Sequence, residues 1–436
     1  MADLLYLVHR MPYPPNKGDK VRSYHLLQHL RRNHRVHLGT FVDDPADEAL
    51  LPQLRQWCAS VHAVRLHPLR ARLASLRGLL GGDSLTEHFY RDAGLARWVD
   101  ETLSRERIAA AVVFSSAMAP YVAGRPYLPL LADLVDVDSA KWTAYAPQHR
   151  PPMSWLYRRE GRTLLQLERR IAATARRSFF ATEKETELFR GLAPEVAGRV
   201  EAMDNGVDAA FFAPDDARPS PFAAGETPLV FTGAMDYGPN VDAVVWFARE
   251  VLPALRAQRP GLRFHIVGRN PTSAVRALAD DPAAGVVVTG TVPDVRPYLQ
   301  HAAVVVAPLR LARRPQYKVL EAMAMARPVV AATVCVEALD AEPGGELLAA
   351  GDAAEYVRCI DLLLRAPDQA DAMGIAGRQR VLRSYTWDAH LAVLDRHLAA
   401  LTGRGDSVVT QPQPLADVPS GPASGASIFR RMGTVQ

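Results

Sequence analysis

The sequence predicts two α/β domains, each built on a parallel sheet, and three observations lead to this prediction. At 436 residues the chain is too long for one ordinary domain, which favours two of about 200 residues each. Short apolar runs alternate with helical patterns in both halves, beginning with a strand at 4–8, a helix at 21–32 and a strand at 36–42. A turn-rich stretch at 204–228 separates the halves. Such alternation is typical of parallel sheets covered by helices on both faces.

The composition is that of a globular protein, with 48% hydrophobic and 22% charged residues. No run approaches the ~18 apolar residues of a membrane span, and the start lacks a signal-peptide pattern, so we expect a cytosolic protein. Cys58, Cys335 and Cys359 lack metal-ligand spacing and are predicted to be reduced thiols. The net charge of only +4 gives no reason to expect nucleic acid as a partner.

The most informative stretch, 303–331, has the pattern strand, loop, helix, strand. Lys318 and Glu321 are three residues apart, so they share one side of the helix predicted at 316–326. A phosphate at the start of that helix would meet N–H groups, the partial positive charge of the helix, Lys318 and the arginines of the preceding loop. Glu321 is placed to accept hydrogen bonds from a hydroxyl pair such as a ribose diol. The alternative is an exposed ion pair on a surface helix.

A loop from 9 to 20 follows the first predicted strand. Ligands of parallel α/β sheets bind beyond the carboxyl ends of strands, so this loop is in position to touch one. Lys17, Gly18 and Asp19 form its polar tip. The alternative is an ordinary strand-to-helix turn in which Asp19 caps the next helix.

Three carboxylates, Asp133, Asp136 and Asp138, stand at the end of the strand predicted at 128–136. They could act as a base, as ligands of an acceptor hydroxyl or as a metal site. Metal is the least expected, because no histidine or further carboxylate lies nearby in the register of magnesium or manganese sites. Capping of the next helix is the alternative for Asp138.

A long helix predicted at Arg150–Arg177 contains eight arginines against Glu160 and Glu168. Trp155 and Tyr157 stand at its start. A basic helix with aromatic residues at its entrance suits an anionic membrane surface or a lipid-linked phosphate. A solvated helix face is the alternative.

In the second half, glycines follow successive predicted strands at Gly233, Gly268 and Gly290 and would let the backbone approach a ligand. No Walker loop is present, and no G-x-G-x-x-G follows either first strand, which argues against a P-loop NTPase and a dinucleotide oxidoreductase. Residues 403–436 are rich in Gly, Pro and Ser without periodicity, so we expect a disordered tail.

The chain resembles the GT-B glycosyltransferases, specifically the large retaining family-four group, over about residues 1–400. The pieces that carry the resemblance are PYPPNKGDKVRSYHLLQHL (12–30), NGVDAAFF (205–212), and FTGAMDYGPNVDAVVWF (231–247) with KVLEAMAMARPVVA (318–331). The amino-acid sequences of these pieces are similar to those of sugar transferases associated with PEP-CTERM/exosortase exopolysaccharide clusters in Gram-negative bacteria.

The resemblance implies two Rossmann-like domains that face each other across a cleft. The implied parts are an acceptor-side domain at 1–207, a linker at 208–227, a nucleotide-sugar domain at 228–384 and a final helix at 385–402 that packs back towards the first domain.

The resemblance also implies roles for individual residues around a nucleotide-sugar donor. Glu321 would bind the ribose, and Lys318 and Arg310 would meet the diphosphate as the catalytic cations. The other implied contacts are Gly233 and Ala234 with the phosphates; Gly268, Arg269, Val292, Asp294 and Val295 with the base; Lys17, Gly18 and Asp19 with donor phosphate and acceptor; and Asp136 with the transferred sugar.

The sequence departs from the family pattern at the donor site. Arg313 stands where many members have a glutamate eight positions before the ribose glutamate, and Arg314 replaces a small residue. Ala234 and Pro239 occupy a loop that often carries Arg and Lys. We therefore expect the positive charge for the diphosphate to come from 310–318 instead.

The implied activity is transfer of a hexose, with retention, from a UDP-linked or similar nucleotide sugar to a polysaccharide or lipid-linked acceptor in exopolysaccharide synthesis. No metal or other cofactor is expected to be obligatory. The basic segment Arg150–Arg177 would place the protein on the inner leaflet of the membrane. A nucleotide-sugar epimerase of the same architecture and a non-catalytic assembly partner are the alternatives.

Overall fold

The computed structural model of the chain describes residues 1–15, 18–75, 78–310, 316–339 and 341–402. These residues form two α/β units, each built around one parallel sheet, so the predicted fold class is confirmed. The first unit contains residues 1–205 and 390–402, and the second contains residues 206–389. The predicted disordered tail at 403–436 lies outside the described residues.

The first unit has a seven-stranded parallel sheet. Its strands are β1 (Asp3–Val8), β2 (Arg35–Val42), β3 (Ser60–Arg65), β4 (Ile108–Phe114), β5 (Leu130–Val135), β6 (Arg177–Phe180) and β7 (Val200–Ala202). Its helices are α1 (Gly18–Asn33), α2 (Leu51–Trp57), α3 (Pro68–Ser75), α4 (Gly78–Gly81), α5 (Leu85–Phe89), α6 (Ala93–Arg105), α7 (Asp138–Tyr145), α8 (Met153–Thr174) and α9 (Glu183–Leu192). The strand order is β3-β2-β1-β4-β5-β6-β7.

The second unit has a six-stranded parallel sheet. Its strands are β8 (Thr227–Thr232), β9 (Leu262–Val267), β10 (Val286–Gly290), β11 (Val304–Ala307), β12 (Val329–Ala332) and β13 (Leu348–Ala350), in the order β10-β9-β8-β11-β12-β13. The helices are α10 (Gly238–Trp246), α11 (Leu252–Gln258), α12 (Ser273–Arg276), α13 (Arg296–Gln300), α14 (Tyr317–Ala324), α15 (Thr333–Val336), α16 (Ala353–Arg365) and α17 (Pro367–Ser384). Helix α18 (Trp387–Thr402) begins in the second unit, but most of it belongs to the first. A π-helical turn at Phe247–Val251 joins α10 to α11.

Each sheet has one point where the order of strands reverses, between β1 and β4 in the first unit and between β8 and β11 in the second. Parallel α/β sheets bind ligands outside the carboxyl ends of strands at such a reversal. The segments that follow these strands, at 9–10, 115–116, 233–234 and 308–310, are therefore where a site is expected.

Continuous apolar strands form the core of both units. Leu4 to Val8 of β1 are fully buried, as are the four residues of β11 (VVVA) to within a few per cent. A central strand covered on both faces needs apolar side chains on both, which explains the unbroken runs. On the first sheet, α8 approaches α7 closely at Gly161, where an added Cβ would lie 2.3 Å from Thr143 Oγ1.

A buried ion pair links α1 to β5. Arg22 Nε donates to Asp133 Oδ2 at 2.8 Å and Arg22 Nη2 donates to Oδ1 at 3.0 Å. Arg22 Nη1 also donates to Asn205 Oδ1 at 2.7 Å. Burial raises the pKa of Asp133, while Arg22 opposes the shift. Of the three predicted carboxylates, Asp133 is thus occupied by a structural partner.

The bounds of two helices differ most from the sequence prediction. Helix α1 begins at Gly18 rather than at residue 21, with Asp19 in its first turn, where a negative charge favours the helix dipole. Helix α8 spans Met153–Thr174 rather than 150–177. Pro151 and Pro152 lack the N–H groups of a helix interior, and Arg177 already belongs to β6.

All three cysteines are free thiols, as predicted. Burial raises the pKa of Cys58 to about 12 and that of Cys335 to about 11. Across the described residues, no helix is both long enough and apolar enough to pass through a membrane.

Candidate functional site

Two loops of the second unit pack back to back at the carboxyl ends of β8 and β9. The N–H of Gly233 donates to the carbonyl of Val267 at 3.0 Å, and that of Met235 donates to the carbonyl of Arg269 at 2.8 Å. A Cβ added to Gly268 would lie 1.6 Å from the carbonyl oxygen of Gly233. No residue larger than glycine fits this approach unless the two loops move apart.

The amino group of Lys318, in the first turn of α14, is held at the end of β8. Lys318 Nζ donates to Asn240 Oδ1 at 2.6 Å, and Asn240 Nδ2 donates to the carbonyl of Ala234 at 2.9 Å. The same Nζ lies 4.1 Å from the centroid of the Phe231 ring, a cation–π contact. An added Cβ on Gly233 would be 3.2 Å from Nζ. Strand β8, the loop after it and α10 therefore position this ammonium group.

Glu321 lies one turn further along α14 and is half-buried, like Lys318. Its carboxylate forms no hydrogen bond and no ion pair with any residue that the structure describes. The alternative of an exposed surface ion pair is therefore wrong, since the two side chains are neither exposed nor paired. The carboxylate can instead accept hydrogen bonds from a ligand.

The two groups have shifted pKa values. Burial lowers the pKa of Lys318 to about 7, with Glu321 and Cys335 opposing the shift. Burial raises the pKa of Glu321 to about 7, with Lys318 opposing. An anionic ligand beside Lys318 would favour its charged form. Ionisable groups perturbed in this way at the strand ends of an α/β sheet are typical of functional sites.

The start of α14 adds a further feature for an anion. Gln316 precedes the helix and makes no side-chain capping hydrogen bond. A helix N-terminus offers N–H donors and a partial positive charge, which suit a phosphate. Lys318, the start of α14 and the backbone at Gly233 together form what we call the donor site. It lies at the reversal point between β8 and β11.

Arg310 follows β11, but its side chain lies on the surface. It is exposed, and its Nη1 is 3.7 Å from Asp242 Oδ1 on α10. The contacts of the described residues do not join it to Lys318, with which it was predicted to act. Arg313, Arg314 and Pro315 lie outside the described residues.

In the turn after β10, which was predicted to surround a base, the carboxylate of Asp294 accepts hydrogen bonds from a neighbouring arginine. Arg296 Nε donates to Asp294 Oδ1 at 3.0 Å and to Oδ2 at 2.9 Å. Burial of Asp294 opposes ionisation, but the hydrogen bonds from Arg296 outweigh it and lower the pKa of this carboxyl. The Arg296 guanidinium lies 4.0 Å from the centroid of the Phe211 ring. Val292 and Val295 pack against the core of the second unit.

In the first unit, Asp19 is joined to the residues that follow β1. Its Oδ2 lies 2.6 Å from Arg10 Nη1 and 3.5 Å from His9 Nε2. Burial opposes ionisation, but the hydrogen bond from His9 and the charge of Arg10 hold the pKa of Asp19 well below its usual range. Gly18 begins α1, whereas Lys17 lies outside the described residues.

His9 and Arg10 were not predicted as site residues, although their position directly after β1 is a usable signal. Arg10 Nε lies 2.9 Å from Asp43 Oδ2, which follows β2. The His9 ring stacks on Phe114 with 5.7 Å between centroids and meets Tyr90 edge-on at 5.5 Å. These contacts form a charged cluster at the reversal point of the first sheet.

Asp136 and Asp138 follow β5. Asp136 is half-buried, and its carboxylate has no hydrogen bond within the described part of the chain. Asp138 Oδ1 lies 3.9 Å from Lys141 Nζ. Burial raises the pKa of Asp138, Lys141 opposes this and Asp136 reinforces it. Val135, just before them, has a φ of 69°, which is unfavourable for a β-branched residue and is a type of strain that clusters at functional sites.

Asp3, His37 and Glu106 each place one potential metal-ligand atom within 4.8 Å of the others. His37 is already hydrogen-bonded to Asp3 Oδ1 at 3.0 Å and to Ser60 Oγ at 2.9 Å. The group lies near the amino ends of β1 and β4, away from the strand ends that carry the clusters above. We assign it a structural role.

Residues 226–366 match the model of the family Glycosyl transferases group 1. The matched stretch contains Gly233, Gly268, Lys318 and Glu321. The match lies within the second unit, and the predicted class of enzyme, a glycosyltransferase, is confirmed.

Several solved structures share the fold of nearly the whole chain. Sucrose-phosphate synthase from Thermosynechococcus elongatus has a TM-score of 0.58 and 19% identity, covering 93% of this chain and 100% of that chain. HepE from Anabaena, in complex with UDP, has a TM-score of 0.55 and 15% identity, with 92% and 100% covered. WaaG, a glycosyltransferase involved in lipopolysaccharide biosynthesis, has a TM-score of 0.53 and 16% identity, with 92% and 100% covered. No curated protein matched the sequence. At these identities the similarity establishes the fold, which the sequence predicted as GT-B.

Proposed function

We propose that the chain transfers a hexose from a UDP-linked sugar to a polysaccharide or lipid-linked acceptor, with retention at the anomeric carbon. The observation that carries the proposal is the position of Lys318 beside Gly233. One turn away lies the carboxylate of Glu321, which has no partner among the residues that the structure describes. The matched glycosyltransferase domain supports it. The choice of UDP is supported by the complex of HepE with UDP.

In this proposal the donor diphosphate lies against the start of α14. Lys318 and the first turn of the helix stabilise the charge that develops as the bond between the anomeric carbon and the diphosphate oxygen breaks. The electron pair of that bond stays with the leaving nucleotide, so catalysis depends on preorganised positive charge, and no metal is obligatory. Glu321 accepts hydrogen bonds from the ribose hydroxyls, and the backbone at Gly233 and Ala234 faces the phosphates.

The other predicted contacts remain part of the proposal. Arg310 would leave Asp242 for the diphosphate, and Gly268, Arg269 and the turn at 292–295 would surround the base. Asp136 would lie beside the transferred sugar. Lys17, Gly18 and Asp19 would contact the acceptor side. The resemblance to PEP-CTERM/exosortase-associated transferases favours an exopolysaccharide acceptor on the cytoplasmic side of the membrane.

Product analysis tests the proposed reaction. The protein is incubated with a panel of nucleotide sugars, with and without oligosaccharide or lipid-linked acceptors. Release of the nucleotide coupled to acceptor elongation is the expected result. Conversion of one nucleotide sugar into its epimer without acceptor would identify an epimerase instead, and no affinity for any member of the panel would indicate a non-catalytic assembly partner.

Donor binding should change the protonation of the site in a direction that depends on pH. At pH 8 Lys318 is mostly neutral and Glu321 mostly ionised, because both pKa values are about 7. Binding of UDP, which favours the ammonium form, should therefore take up a proton. At pH 6 Lys318 is already charged and Glu321 is mostly neutral, so ionisation of Glu321 on binding should release a proton.

Calorimetric titration of UDP in buffers of different ionisation enthalpy measures this exchange. Lys318→Met should abolish the uptake at pH 8, whereas Lys184→Met, on the exposed face of α9, should leave it unchanged. Equal uptake in the Lys318→Met protein would contradict the placement of the diphosphate at Lys318.

A further inference from the structure

Helix α3 exposes two leucines to solvent in the first unit. Leu69 is 74% exposed and Leu73 is 70% exposed. The two residues are four apart, so they lie on one face of the helix. Large apolar side chains so exposed and so close together are typical of an interaction surface rather than of a solvated helix.

The segment that contains α3 is also purely cationic. Between residues 65 and 82 the sequence has four arginines and no aspartate or glutamate. Arg72 is exposed next to Leu73. Apolar side chains combined with arginines, without carboxylates, match an anionic lipid surface: the apolar groups enter the interface and the cations meet the headgroups.

The beginning of α8 also exposes apolar and basic side chains in the first unit. Trp155 is 57% exposed and Met153 is 38% exposed. Arg158 and Arg162 follow Trp155 at helical spacing and are both exposed. Tryptophan is enriched at membrane–water interfaces, where its amphipathic ring lies at the level of the headgroups.

Hydrogen bonds fasten the segment after α3 to the start of α8. Arg159 donates to the carbonyls of Gly78 and Asp83. The Glu160 carboxylate accepts from the N–H of Leu85 at 2.8 Å and from that of Thr86 at 2.9 Å. The chain that leads from α3 to α5 is therefore anchored to the first two turns of α8.

Two of the later arginines of the basic segment have carboxylate partners. Arg169 Nε lies 2.6 Å from Glu195 Oε1, and Arg177 Nε lies 2.8 Å from Glu201 Oε1. The predicted basic surface at 150–177 is thus only partly neutralised towards its carboxyl end. Next to the exposed tryptophan, Arg158 and Arg162 have no carboxylate partner among the described residues.

We propose that α3 and the first turns of α8 form a docking surface for membranes rich in anionic lipids. Leu69, Leu73 and Trp155 enter the interface, and Arg72, Arg158 and Arg162 bind headgroup phosphates. This surface is separate from the donor site, which lies in the other unit, so the proposal does not depend on the transferase activity.

Co-sedimentation of the full chain with vesicles tests the proposal. The protein should bind phosphatidylcholine vesicles that contain phosphatidylglycerol and bind pure phosphatidylcholine much more weakly. It should dissociate from the anionic vesicles as salt is raised. A double variant, Leu69→Ser with Leu73→Ser, should partition roughly 10-fold or more weakly, since two apolar side chains no longer enter the interface.

The matched control replaces two exposed apolar residues of the second unit, Leu362→Ser with Ile375→Ser, which are 54% and 55% exposed. This control should bind vesicles like the wild type, and both double variants should keep wild-type affinity for UDP. Absence of binding to anionic vesicles, binding indifferent to salt, or equal binding by the two double variants would overturn the proposal. Recruitment by a protein partner instead of lipid would give the first of these results.

Discussion

Replacing Lys318 by methionine is expected to lower the rate of sugar transfer by about 100-fold or more, the effect of removing one preorganised electrostatic donor. Its ammonium is the one cation that the described contacts place against the backbone at Gly233, through Asn240 and the Phe231 ring. Methionine has a similar length and suits a buried site where burial already disfavours the charged amine. Because the substitution also removes the hydrogen bond to Asn240 Oδ1, a small loss of thermal stability should accompany the loss of activity.

Initial rates at saturating donor and acceptor measure this effect. Lys184→Met, on the exposed surface of α9, is the matched control and should keep the wild-type rate. A Lys318→Met protein that transferred sugar within a few-fold of the wild-type rate would remove the lysine from the mechanism.

Gly268→Ala is expected to have the second large effect, a roughly 10-fold or greater loss of UDP affinity together with a lower melting temperature. The new methyl group would overlap the Gly233 carbonyl oxygen, only 1.6 Å away, so the loops after β8 and β9 must separate. Forcing extra volume into a packed site typically costs about 1–3 kcal/mol of folding free energy. The displaced loop contains Gly233 and Ala234, which face the diphosphate in our proposal.

Calorimetric titration and thermal melting report the two parts of this prediction. Gly238→Ala is the control: an added Cβ at this first residue of α10 meets nothing within 4 Å, so affinity and stability should be nearly unchanged. Wild-type affinity in the Gly268→Ala protein would show that the contact between the two loops does not shape the donor site.

Spacing along one helix was enough to predict the pair at the centre of the proposed donor site. Lys318 and Glu321 are three apart in a helix whose start faces a strand end, and this pattern is local. Their burial is not local. Asn240, which holds Lys318, lies 78 residues earlier in the chain and was not predicted as a site residue. Lys318 and Asn240 come together because the folded sheet places β8 beside β11.

Gly233 and Gly268 show the same limit of what the sequence alone predicts. A glycine directly after a strand predicts close approach of the backbone, and Gly233 and Gly268 both meet that description. Which segment of the chain approaches the glycine depends on how the strands pair. Here the partner of Gly268 is the Gly233 loop itself, because β8 and β9 are neighbours in parallel register.

In the first unit, charge patterns were harder to interpret than apolar ones. Asp133 and Asp136 look alike in the sequence, yet Asp133 is paired with Arg22 from α1, whereas Asp136 has no partner within the described residues. The basic segment at 150–177 was predicted as one surface. Tertiary ion pairs with Glu195 and Glu201, distant in sequence, neutralise Arg169 and Arg177 in its later part.

The most direct test of the donor site is calorimetric titration of UDP into the wild-type protein and the Glu321→Ala variant. The wild type should bind, and the variant should bind at least about 10-fold more weakly, because a hydrogen bond to a charged group contributes roughly 1.5–3 kcal/mol. Glu187→Ala, in an exposed ion pair on α9, should bind like the wild type. Equal affinity in the Glu321→Ala protein, or no binding of UDP by the wild type, would contradict the assignment of the donor site.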